Sequence, residues 1–172
     1  MAIAATVYDY LRYHQVAYSL LPHSQTDSAS ESARAAVVPA NDCAKAVMVR
    51  QGEEHLMAVI PANRYLDLHR LNKMMRGHYH LEAEADFARL FDDCSQGAIP
   101  AIGQAYAIPV VWDDALAQDE DVYLEAGDHR DLIHLSRQQF IKLMSEMPHG
   151  TITKQFTGYP PVAVMSDGEF GL

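Results

Sequence analysis

The stretch Cys43 to Ile60 constrains this chain more than any other. Cys43-Ala-Lys-Ala-Val-Met-Val-Arg50 is rich in β-branched and long apolar residues, and His55-Leu-Met-Ala-Val-Ile60 is of the same kind. Between them Gln51-Gly52-Glu53-Glu54 has the composition of a turn. Two apolar runs of this length, joined so tightly, predict a β-hairpin by their spacing. The first strand of the pair looks central, and the remaining segments are read around it.

Those segments read as alternating helices and strands. Ala4 to His14 has helical spacing, with Val7 and Leu11 on the inner side and Tyr8 or Tyr10 beside them. Val16 to Leu21 reads as a strand ended by Pro22, and His23 to Thr26 as a polar loop. Ser28-x-x-Glu31 is a capping box opening a short helix that Pro39 stops. A helix is predicted from Tyr65 to Arg76, with Leu66, Leu68, Leu71, Met74 and Met75 inward and Gly77 at its C′ position. His78 to Leu81 reads as a strand and Glu84 to Phe91 as a helix. Ala107 to Trp112 reads as a buried strand in which Pro109 marks an edge or a bulge. After a turn or short helix from Asp113 to Gln118, strands are predicted at Asp121 to Glu125 and Leu132 to Leu135. A second capping box, Ser136-x-x-Gln139, opens a helix carrying Phe140, Ile141, Leu143 and Met144. The body is predicted to end near Met147. Residues 148–172, with three prolines and four glycines, read as a C-terminal extension that packs as an extended segment or stays mobile.

At 172 residues this is one domain with room for a sizeable core. No apolar run approaches the ~20 residues of a membrane span. The N-terminus has no basic region and is broken by Asp9 and Arg12, which argues against a signal peptide. Cys43 and Cys94 are far apart and form no C-x-x-C, as expected of free thiols in the cytoplasm. The net charge is −10, yet Lys45 to Arg76 holds six basic residues against three acidic ones. The acidic bulk argues against broad coating of nucleic acid. Arg64, Arg70, Lys73 and Arg76 are either the solvated face of a helix or a local grip on one nucleic-acid end.

Candidate chemistry centres on Gln96-Gly-Ala-Ile-Pro-Ala-Ile-Gly103. This uncharged loop offers backbone N–H and C=O groups with little side chain in the way. By itself it reads as a tight lead into the next strand. Lys45 and His129, in Ala126-Gly-Asp-His129, are its candidate partners. A lysine in such a strand either snorkels out at the strand end or points its ammonium into a cleft. His78-x-His80 lacks a carboxylate or cysteine at ligand spacing, so no metal is expected. Cys94 reads as a packed thiol rather than a nucleophile. There is no G-x-S-x-G, no P-loop and no strand-linked G-x-G-x-x-G.

Together the lysine strand Ala44–Arg50, the segment Val59 to Leu68, the loop Gly97 to Gly103, the strand Ile108 to Asp113 and Val122 to Gly127 resemble the YbaK/EbsC family of aminoacyl-tRNA deacylases. Members are related to the editing insertion of bacterial prolyl-tRNA synthetases. The resemblance spans roughly residues 15–145. It implies a single α/β domain (residues 1–147) in which a curved mixed sheet, surrounded by helices, holds a pocket for the 3′ acceptor end of a charged tRNA. It implies hydrolysis of the aminoacyl ester without a side-chain nucleophile and without a cofactor. Gly97, Ala98, Ile99, Pro100 and Ala101 would hold the aminoacyl group, and Lys45 would anchor the terminal phosphate or the loop. Water and a substrate hydroxyl would move the protons. His129 lies where some relatives carry a histidine near the aminoacyl group. Gly103, His23, Asp128, Arg64, Arg70 and Lys73 complete the expected substrate contacts. An aminoacyl-tRNA synthetase is a further expected partner, and no membrane is. The sequence departs from many relatives where Pro100 and Ala101 replace a Ser-Pro pair, and where Ala46 follows the lysine. The alternative is a non-catalytic module that retains the same pocket.

Overall fold

The computed structural model describes residues 3–155. Its centre is the expected hairpin: β2 (Cys43–Gln51) pairs antiparallel with β3 (Glu54–Pro61) along its whole length. The sheet built on it also contains β1 (Ser19–Pro22), β5 (His80–Leu81), β6 (Val110–Asp113), β7 (Asp121–Glu125), β8 (Asp131–Ser136) and β9 (His149–Gly150). The order is β1-β8-β7-β2-β3-β6-β9, with β5 added to β2. β7 joins β2 in parallel, as do β6 to β3 and β9 to β6, whereas β8 pairs antiparallel with both β1 and β7. This is the mixed α/β sheet that the sequence predicts.

Alternation along β2 divides the core. Ala44 and Met48 face the main cluster, which also holds Val7 and Leu11 of α1 (Ala5–Tyr13) and Phe140 and Met144 of α5 (Arg137–Met144). Val49 faces a second cluster with Leu71 of α3 (Leu68–Met75), and Cys43 a third with Ala33 of α2 (Ala29–Ala35). Lys45 lies on this second face, between the two smaller clusters. Burying a leucine such as Leu71 contributes about 1.5–3 kcal/mol, so each satellite cluster is a real anchor for its helix.

The register of β2 opens the fold at one place. On the side away from β3, β2 pairs with β7 through Cys43 and Ala44, and with β5 through Val49 and Arg50. Among the described residues no strand pairs with that edge at residues 45–47. An open backbone edge inside a sheet must meet a loop, a ligand or water.

Several boundaries differ from expectation. Tyr65–Leu66 is not the start of the helix but a strand, β4, paired with β10 (Thr153–Lys154). The helix begins after Asp67, whose carboxylate accepts the Arg70 N–H. Its left-handed terminal residue is Arg76 (φ 54°), one before the expected Gly77. Residues 88–91 tighten from the α-helix α4 (Glu84–Phe87) into a 3-10 turn. Pro109 precedes β6 and accepts the Met57 N–H, and β6 itself lies between β3 and β9 rather than at an edge. Of the apolar residues that the last predicted helix carries, Ile141 is exposed. Past Met147 the chain runs extended along the body: Ile152 and Thr153 are buried. The rest of the expected extension, 156–172, lies outside the described residues. Among the described residues no helix is long and apolar enough to cross a membrane.

The first capping box forms with one variation. Ser28 accepts the Glu31 N–H, while the Glu31 carboxylate reaches the Asp27 N–H at 3.0 Å. The helix ends ahead of Pro39, with Val37 left-handed at φ 59°. A β-branched residue is strained there, and Val37 is 89% exposed, so it recovers little by packing. Val37→Gly is therefore expected to stabilise the protein by about 1 kcal/mol. Chemical denaturation checks this, and a lower midpoint at unchanged slope would refute it.

Candidate functional site

The open edge of β2 is met by the glycine-bracketed loop. A turn closes with Ala98 N–H on Ser95 O at 2.9 Å, and Gly97 takes the φ of +79° that its third position needs. Ala98, Pro100 and Ala101 are buried, which roots the loop in the body. Gly97 and Ile99 line a cavity of about 200 Å³ against β2.

A second turn clamps this loop. After β7, the chain turns through Gly127, Asp128 and His129, with His129 left-handed at φ 62°. Glu125 organises the turn: its Oε1 accepts the N–H groups of Gly127 (2.8 Å), Asp128 (3.1 Å) and His129 (3.1 Å). Ser95 N–H then donates to Gly127 O at 2.8 Å, and His129 Nε2 lies 2.6 Å from Gln96 O. A carbonyl can only accept, so Nε2 is the donor of this bond. The loop is thereby held at both its carbonyl and its amide.

Lys45 supplies the cavity's ammonium. Its Nζ donates to Ala62 O at 3.2 Å and lies 5.8 Å from the centroid of the Tyr65 ring. Burial lowers its pKa from the ordinary lysine value. Of the two sequence alternatives, the cleft-facing one describes it: the side chain lines the cavity with Ala44, Ala46, Gly97 and His129. Asp27, Ser28, Ala29 and Ser32 form the wall from the start of α2, and Glu125 and Leu132 that from the β7–β8 pair.

The other expected site residues sit outside the lining. Gly103 packs into the core, where a Cβ would come within 2.8 Å of Val110 Cγ2. Asp128 caps its own turn, accepting from Arg130 and Asp131 N–H at 2.9 Å each. His23 Nδ1 is 2.6 Å from Ser24 O, at the start of the loop that leads to Asp27. Arg70 donates to Thr153 O at 2.8 Å, Lys73 is exposed on α3, and Arg64 stands in the turn before β4. Sequence reasoning missed Asp27, Ser28, Ser32 and Glu125. For Glu125 a signal existed, an acid two residues before a glycine turn, but the three amides it collects are a matter of geometry.

Neither thiol is a ready nucleophile. Burial pushes Cys43 and Cys94 up to about 12. Among the described residues no group of three or more His, Cys, Asp or Glu side chains is gathered to hold a metal.

The fold and the cavity together define an α/β domain in which a backbone loop and a lysine line one small cavity. Residues 23–143 match the model of the aminoacyl-tRNA editing domain, and the chain belongs to that family. No curated protein matches it in sequence. Among solved structures it is similar to the hypothetical protein APE2540, at TM-score 0.75 and 18% identity, covering 87% of this chain and 99% of that one. It is also similar to a candidate trans-editing enzyme for prolyl tRNA synthetase, at TM-score 0.75 and 16% identity over 88% of this chain and 96% of that one. A candidate signal transduction protein from Marinobacter aquaeolei VT8 matches at TM-score 0.69 and 19% identity. There 86% of this chain covers 30% of the other. At these identities the likeness is one of fold.

Proposed function

We propose that this chain is a free-standing editing deacylase, which hydrolyses the ester between a wrongly attached amino acid and the 3′-terminal ribose of a tRNA. The observation that carries the reading is the convergence of Lys45, the Gly97–Ile99 backbone and His129 on one small cavity. An aminoacyl ester is already activated, so orientation and charge stabilisation supply most of what its hydrolysis needs. The Gly97 and Ile99 N–H groups donate to no backbone acceptor among the described residues, which leaves them free for the carbonyl oxygen as negative charge develops. Water attacks the carbonyl carbon, the bond to the ribose oxygen breaks, and that oxygen takes a proton through the neighbouring ribose hydroxyl. Lys45 holds the terminal phosphate. The protonated thiols fit a route with no covalent intermediate. The acceptor end is single-stranded and needs only a few phosphate and stacking contacts, consistent with a net charge of −10. A second hydrolytic sieve is chemically required because synthetases cannot reject smaller amino acids by binding alone. The structural neighbour's description makes a prolyl-tRNA synthetase the first partner to try.

The test is deacylation of a panel of alanyl-, cysteinyl- and seryl-tRNAs in the cytoplasmic pH range. Turnover of one or more members is expected. Saturable binding with no turnover on any would instead make the chain a binding module. His129→Ala frees Gln96 O and loosens the loop. It is expected to change the ratio of rates between two panel members by about fivefold or more, since pocket shape sets that ratio. Equal ratios in variant and wild type would remove His129 from specificity.

A further inference from the structure

Glu125 carries more of this site than the folding of a turn requires. All three amides of the Gly127–His129 turn fall on Oε1, and Oε2 accepts no hydrogen bond among the described residues. Glu125 lines the cavity, and Oε2 is not among the buried atoms left without a partner, so it meets solvent there. Among the described residues no ion pair involves Glu125. Of the lining residues, Lys45 alone is a lysine or arginine, and its ammonium is directed at Ala62 O. Asp27 adds a second carboxylate to the lining. One side of a small cavity therefore carries two carboxylates, neither of them in an ion pair among the described residues. Such a wall favours a cationic ligand group over a neutral one of equal size.

We infer that Glu125 recognises the α-ammonium group of the aminoacyl moiety, making this site selective for esters of free α-amino acids. The inference rests on the deacylase reading for the identity of the ligand. It assigns Glu125 two roles: Oε1 holds the turn that presents His129, and Oε2 binds the ammonium while the ester carbonyl faces the Gly97–Ile99 backbone. The site then discriminates by charge on one side of the α-carbon and by shape on the other.

The experiment compares binding of two hydrolysis-resistant ligands, 3′-alanylamino-3′-deoxyadenosine and its lactyl counterpart, in which a hydroxyl replaces the amine. Wild type is expected to bind the alanyl ligand about tenfold more tightly, as one charge-assisted hydrogen bond allows. Glu125→Gln keeps an Oε1 acceptor for the three amides and loses the charge. It is expected to bring the two affinities within about twofold of each other. A structural defect alone would weaken both ligands and leave their ratio unchanged. No preference in wild type, or an undiminished preference in Glu125→Gln, overturns the inference. So does a wild type that binds neither ligand. Turnover of alanyl-tRNA by the same wild-type preparation tells whether the deacylase reading falls with it.

Discussion

Lys45→Ala is expected to lower kcat/KM for deacylation by about a hundredfold or more, a loss of about 2.7 kcal/mol in transition-state stabilisation, with the fold intact. The size follows from burial: an ammonium removed from water interacts more strongly with a phosphate or a developing charge than an exposed one. The intact fold follows from the hydrogen bonds. Lys45 Nζ donates to Ala62 O, which also accepts from Ser30 Oγ at 3.3 Å, so removing the lysine does not orphan that carbonyl. Lys45→Met separates the two consequences further. It fills the space with an apolar chain of similar length and should unfold no earlier than wild type while being as inactive as the alanine variant. The sign with pH agrees. Burial depresses the folded-state pKa, so between that value and the ordinary lysine value the unfolded chain binds more protons. Wild-type stability therefore rises with pH through that alkaline window, and Lys45→Met loses that rise. Full activity in Lys45→Ala would remove the lysine from the mechanism.

The same lysine illustrates what a sequence of this kind reveals. The Cys43–Ile60 hairpin follows from local composition, and so does Lys45 as the odd charge within it. What sequence leaves open is which way the ammonium points, because that depends on β7 and β5 pairing only with the two ends of β2. Both capping boxes were legible, although their second halves are spent elsewhere. Glu31 serves Asp27 N–H, and Gln139 Oε1 accepts Ala17 N–H at 2.9 Å from across the fold. Tyr65 and Leu66 fit a helical face as well as a strand. Their strand state is decided by Thr153 and Lys154, nearly ninety residues away. Ile141 fits the inner face by period, yet the α5 face that packs is the one bearing Phe140, Leu143 and Met144. Local signals place elements well, and long-range partners decide where they end.

Asp113 is the residue at which that long-range dependence is strongest, and Asp113→Ala is expected to destabilise the protein by about 3–5 kcal/mol. The side chain is 1% exposed. Its Oδ1 accepts Ala115 N–H at 2.8 Å, and its Oδ2 accepts Ile152 N–H and Thr153 Oγ–H at 2.9 Å each. One carboxylate thus caps the 3-10 turn after β6 and fastens the segment that carries β9 and β10. Alanine would leave two buried backbone donors and a buried hydroxyl without this acceptor. For a domain of this size the loss corresponds to a fall in Tm of about 10 °C. Asparagine cannot restore it, since its amide group must face a donor on one side or the other. Thr153→Val removes only the hydroxyl's contact and should cost about 1 kcal/mol. Because β10 pairs with β4, and Tyr65 of β4 stands beside Lys45, release of the segment should also weaken the cavity's wall. Amide exchange at Ile152 is expected to accelerate in Asp113→Ala, with a drop in deacylation when assayed below the lowered Tm. Unchanged exchange at Ile152 would mean that the segment is held without Asp113, by the β4–β10 pairing and by the Ile152 side chain, which is fully buried beside Leu71 and Val111.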